Sequence, residues 1–117
     1  MTATDPINID EALEVMDGDS ELLLECFDDF VEDMPGMLAR IRNALDQEDK
    51  AELKIACHKL KGSLRYLAAA RAADLAYKLE VTDDTGDLTN ADDLFVTLQG
   101  ECEKIQAFVQ NYKQKYA

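Results

Sequence analysis

The chain has 117 residues, 47% of them hydrophobic, with 25 acidic against 12 basic side chains and a net charge of −13. That length suits one domain, spanning 1–117 and burying roughly two-thirds of its unfolded surface, while so negative a charge excludes general binding to a nucleic-acid backbone, which needs a basic footprint. The lack of a long apolar run and of a basic, apolar leader in MTATDPINID excludes a membrane span and a signal peptide, so a cytoplasmic location is expected.

In chain order, the pattern is helical throughout, with no alternating strand signature. A short helix is predicted near Asp10 to Met16, stopped at Asp17-Gly18, with Asp19-Ser20 as the next N-cap. From Leu23 the apolar residues Phe27, Phe30, Met34, Leu38, Ile41 and Leu45 follow at steps of three or four, one face of a long helix. This stripe keeps phase through Pro35-Gly36, which predicts a kinked but continuous helix rather than a turn. Asp49 and Glu52 resemble a capping box opening a third helix, whose inward face is Leu53, Cys57, Leu60, Leu64 and Leu67.

A fourth, alanine-rich helix is predicted from about Arg71 to Glu80 with Leu75 and Leu79 inward, and Thr82 to Leu88 reads as a loop. The last helix follows Asn90, with Ala91, Phe95, Leu98, Cys102, Ile105, Val109, Tyr112 and Tyr116 alternating by four and three. Four one-sided helices with short connections predict an all-α, antiparallel up-and-down four-helix bundle with a short additional N-terminal helix. The last stripe reads as bundle core, and a monomer is expected. Cys26, Cys57 and Cys102 are too scattered for a disulfide framework or a zinc site and read as reduced core thiols.

Charge is unevenly distributed. Residues 1–49 hold fifteen acids and two arginines, residues 79–117 eight acids and three lysines, but residues 50–78 hold seven bases and two acids. His58, the chain's one histidine, lies in that basic island, within ACHKLKGSLR. On a helical wheel it points about 150° away from the apolar stripe and so towards solvent, with Lys54, Lys61 and Arg65 within about 60° of it and Gly62 about 40° to one side. Ile55 and Tyr66 fall roughly 60° to 80° round, as apolar groups outside the core.

An exposed imidazole among cations narrows the chemistry. No acidic residue shares this face of the third helix to serve as an orienting carboxylate for nucleophilic hydrolysis, and one histidine with scattered cysteines supplies no metal site. A phosphoryl group fits better: neutral imidazole can attack phosphorus, and lysine one turn away offers a point charge to phosphate.

The run His58-Lys59-Leu60-Lys61-Gly62-Ser63, followed by Leu67, Leu75 and Leu79-Glu80, resembles the histidine-containing phosphotransfer (HPt) domain. The resemblance extends upstream to Ile9-Asp10-Glu11-Ala12-Leu13, Ser20-Glu21-Leu22-Leu23 and Glu32-Asp33-Met34-Pro35, covering about residues 6–80, with the last helix compatible by pattern. It implies a phosphocarrier of multistep two-component signalling, with no ATP site or kinase module of its own. Its histidine would take a phosphoryl group from a receiver-domain aspartate and pass it to another receiver. The implied partners are response-regulator receivers and a hybrid sensor histidine kinase, no cofactor is implied in this chain, and Mg²⁺ is expected on the partner receiver.

Carried over by position, His58 is the phosphoacceptor, Lys61 the phosphate-facing cation and Gly62 the small residue allowing close approach. Lys59, Ser63 and Arg65 join the docking face, to which the wheel adds Lys54, Ile55 and Tyr66. Ala68 stands where many members have glycine. Two rival readings are a receiver-docking module without phosphotransfer and a phosphoacceptor domain cut from a hybrid or chemotaxis-type kinase, although Met1 favours a stand-alone carrier.

Overall fold

A computed structural model describes residues 5–82 and 90–116, with Tyr116 described in its backbone alone. Five helices follow one another: α1 (Ile9–Val15), α2 (Ser20–Asp46), α3 (Lys50–Tyr66), α4 (Ala70–Glu80) and α5 (Ala91–Tyr116). Among the described residues there is no strand. The expected loop from Thr82 to Leu88 lies, beyond its first residue, outside the described residues.

Local chemistry sets the helix starts. Asn8, Asp19 and Asp49 each occupy an N-cap and accept from the backbone N–H three residues on, at 3.1, 3.0 and 3.1 Å. Such a bond satisfies an amide that the first turn otherwise leaves unpaired. The expected capping box forms by half: Asp49 caps Glu52, but the Glu52 carboxylate turns to Arg40, and the Asp49 N–H bonds Ala44 O at 2.9 Å instead.

Three helix ends share one device. At Asp17, Glu48 and Ala68 the backbone is left-handed, with φ of 54°, 52° and 58°. Each lies between the crossed 6→1 and 5→2 bonds of a Schellman turn, for example Ala69 N–H to Leu64 O (2.9 Å) and Ala68 N–H to Arg65 O (3.0 Å). Glycine is the usual occupant, so the alanine at 68 costs about 1 kcal/mol of local strain. Ala68 O in turn accepts from Asn8 N at 3.1 Å, tying the N-terminal segment to the α3–α4 corner.

Pro35 lies inside the 27-residue α2, which continues past it with Met34 and Leu38 both buried. The ring removes one helical hydrogen bond, but the apolar face on either side stays in register with the core, and burial outweighs the loss. At 1.5 Å per residue α2 spans about 40 Å, close to the 44 Å long axis of the molecule. Around α2 the other helices close a ring: α2 packs on α3, α3 on α4, α4 on α5 and α5 back on α2, while α1 rests on α2.

The core of that ring contains the predicted stripes: Leu23, Phe27 and Ile41 of α2, Leu53, Cys57, Leu60 and Leu64 of α3, and Leu98, Cys102, Ile105 and Val109 of α5. On α4 the inward face is Ala72, Ala73, Ala76 and Leu79, with Leu75 only half-buried. Small side chains let α4 lie close against α3, which matters for the site. Cys57 and Cys102 are buried, and burial first, then nearby carboxylates, pushes both thiols up to about 12. Cys26 departs from the expected core placement and is half-buried.

Candidate functional site

α3 presents its two faces as the wheel requires: Cys57 is fully buried, while the adjacent His58 side chain is 71% exposed. Lys54, Ile55, Lys59, Gly62, Arg65 and Tyr66 are exposed around it, and Ser63 is half-buried. Lys59 and Arg65 pair with no carboxylate among the described residues. A Cβ built on Gly62 would meet nothing within 4 Å, as at Gly36 and Gly100. No packing inside the protein therefore demands glycine there, although it costs the helix about 1 kcal/mol relative to alanine.

The Lys61 side chain behaves differently from its basic neighbours. It is 9% exposed, and its ammonium lies 2.9 Å from Glu80 Oε1 and 5.2 Å from the centre of the Tyr77 ring. The long aliphatic stem is buried along the α3–α4 seam and brings the charge to its edge. Glu80, on the last turn of α4, has an 11% exposed side chain, and the same Oε1 lies 3.2 Å from His58 Nδ1. One carboxylate oxygen thus joins the two α3 residues that lie nearest to it. Burial pushes the Glu80 carboxyl up, but the hydrogen bond and charge of Lys61, followed by those of His58, outweigh it and hold the group below the usual carboxylate range.

This arrangement corrects one sequence expectation. α3 carries no acid on the histidine face, but the fold supplies one from α4, 22 residues further along. An ionised carboxylate can only accept, so Nδ1 must be the protonated nitrogen of a neutral His58, leaving the Nε2 lone pair free. Tyr77 and Glu80 were the site residues missed. Their spacing of three on α4 was visible, since i and i+3 share a face, but which α3 residue that face would meet was not.

Chemically, the pair is a nucleophilic nitrogen oriented by a carboxylate. A hydrolytic triad would add a hydroxyl on the imidazole, but the Ser63 hydroxyl donates to Lys59 O in its own helix, at 3.5 Å. Among the described residues there is no group of three or more metal-ligating side chains, and no helix is long and apolar enough to cross a membrane.

Comparison with solved structures places the fold. The chain matches histidine-containing phosphotransfer protein B (HptB) from Pseudomonas aeruginosa PAO1 with a TM-score of 0.83, at 24% identity over 99% of this chain and 100% of that one. It matches the HPT domain of the Hpt sensor hybrid histidine kinase from Shewanella with a TM-score of 0.82, at 22% identity over 95% and 96% of the two chains. No curated protein matches. The family model of the Hpt domain matches residues 25–108, a span that contains His58, Lys61, Tyr77 and Glu80, and the chain belongs to the Hpt domain family.

Proposed function

We propose that this protein is a phosphocarrier in which His58 Nε2 takes a phosphoryl group from the aspartyl phosphate of one receiver domain and passes it to the aspartate of another. The observation that carries this reading is the exposed imidazole whose inner nitrogen is hydrogen-bonded to Glu80 while its outer nitrogen faces solvent. In the transfer the Nε2–P bond forms as the P–O bond to the aspartate breaks, and the carboxylate leaves with its electron pair. The ring keeps its Nδ1 proton and becomes a phosphoimidazolium, whose positive charge lies against Glu80. Mg²⁺ belongs to the partner receiver in this scheme, and no ATP site or kinase module is needed in this chain.

Lys54, Lys59 and Arg65 form the positive surface that meets an acidic receiver pocket, adding to encounter rate and orientation. Gly62 leaves room for close approach, Ser63 lines the edge, and exposed Ile55 and Tyr66 supply apolar contact. The ring of helices is read as an antiparallel up-and-down bundle with α1 added, a monomer acting in the cytoplasm between a hybrid sensor histidine kinase and a response regulator.

The test mixes the protein with a receiver charged by acetyl phosphate in Mg²⁺ and follows acid-labile label on the chain. Label is expected on the wild type and absent from His58→Gln; a wild type that binds the receiver without gaining label would make it a docking module instead. Unchanged transfer in both Ile55→Asp and Tyr66→Ala would remove those two residues from the docking face.

A further inference from the structure

We propose that the groove between α2 and α5 is a docking site for a basic amphipathic helix of a partner protein, separate from the receiver surface around His58. The groove, of about 520 Å³, has an apolar floor in which Met34, Leu38 and Phe95 are buried, and apolar rims on which Pro35, Ala39 and Val96 are exposed. Val96 is 62% exposed, the highest value of any large apolar side chain among the described residues, and it follows the buried Phe95 directly. The two helices run antiparallel, since Asp28 of α2 pairs with Lys113 of α5 and Arg42 of α2 with Asp92 of α5. Between those two bridges no ion pair joins α2 to α5 among the described residues, so the apolar stretch is left uncrossed.

Length and charge identify the occupant. From Met34 to Arg42 one wall is about 12 Å long at 1.5 Å per residue, which matches apolar side chains at i, i+3 or i+4, and i+7 of a docked helix. The border is acidic: Glu103 lines the groove and Glu32 lies one turn before Pro35, both exposed and paired with no cation among the described residues. Arg42 is the one base in the lining, and Asp46 and Asp92 already hold its guanidinium. Lysine or arginine flanking the apolar anchors is therefore favoured, whereas a second copy of this chain, itself at −13, is repelled. In the ring of helices this groove lies across from the α3–α4 seam, so a helix held there leaves His58 open.

The probe is a fluorescein-labelled peptide of about 18 residues, with leucines at i, i+3, i+4 and i+7 and lysines elsewhere. Fluorescence anisotropy is expected to show binding, and ¹H–¹⁵N spectra to show amide shifts confined to α2 and α5 around the groove. Val96→Glu and Ala39→Glu, each at an exposed position on one wall, are expected to weaken binding about tenfold, although each adds a charge that attracts lysine. Val15→Glu, the same kind of change at an exposed position on α1, should bind as the wild type does. Binding unchanged or strengthened in both groove variants means adhesion to the acidic surface and overturns the proposal, as do shifts centred on α3 or no binding at all. The peptide with serine for leucine keeps its charge and should bind about tenfold more weakly; equal affinity overturns the docking site as well. A free protein that light scattering finds dimeric, with Val96→Glu monomeric, would give the groove to a second copy instead. None of these readouts involves phosphate, so the groove and the carrier reading stand or fall separately.

Discussion

The α3–α4 seam and the α2–α5 seam join the same kinds of helix in opposite ways. Where α4 packs on α3 its buried residues include three alanines, Ala72, Ala73 and Ala76, and an ion pair, Lys61–Glu80, with both side chains about one-tenth exposed, joins the two helices. Along α2–α5 the contact is made by large side chains, including Phe27, Phe30, Met34 and Phe95, with the Tyr112 ring edge-on to Phe27 at 5.6 Å. That side leaves a groove of about 520 Å³ lined by Met34, Pro35, Leu38, Phe95 and Val96. Its ion pairs, Arg42 with Asp46 and Asp92 and Lys113 with Asp28, are exposed. One seam uses volume for stability, and the other uses small residues to place charge beside the imidazole.

The largest effect expected from breaking this contrast is in the volume-built seam. Phe27→Ala removes a fully buried ring and is expected to cost about 4 kcal/mol in urea unfolding; a loss below 1 kcal/mol would mean that the seam does not depend on it. Next comes the charge-built seam, where Lys61→Met leaves Glu80 buried without its cation and is expected to cost about 3 kcal/mol. The double variant Lys61→Met/Glu80→Gln should recover part of that loss, since no uncompensated charge remains.

The acid limb of stability sharpens the same point. Glu80 lies below its usual range in the folded state, so its contribution is complete above the unfolded-state value of about 4.3 and is lost as pH falls through the lower folded value. Unfolding free energies between neutral and strongly acidic pH are therefore expected to fall less steeply in Glu80→Gln than in the wild type. A parallel limb would remove Glu80 from the acid sensitivity.

Smaller effects separate function from stability. Gly62→Ala meets open space and is expected to stabilise α3 by about 0.5–1 kcal/mol while slowing phosphotransfer from a receiver. Faster or unchanged transfer would show that no partner needs the gap. Smallest of all, Asp92→Ala removes an exposed partner of Arg42 and is expected to cost about 0.5 kcal/mol or less, diminishing with added salt.

Much of this architecture was legible in local pattern. Every predicted helix is present, α2 runs through Pro35 because Met34 and Leu38 keep the same buried face, and Cys57 and His58 take opposite sides of α3. The departures are local too. Leu75 is only half-buried because α4 meets its neighbours through Ala72, Ala73 and Ala76, a stripe whose low hydrophobicity hides it from a periodicity count.

Local pattern reaches as far as one helix: which residues begin it, which face is apolar, and that a lone histidine faces outward among cations. A wheel relates residues through 1.5 Å and 100° steps along one axis, and holds no information about a second axis. That Glu80 reaches His58 and Lys61 depends on how α4 packs against α3. The corner at Ala68 and the small residues of α4 set the distance and rotation between two helices, and through them which nitrogen of His58 is left free.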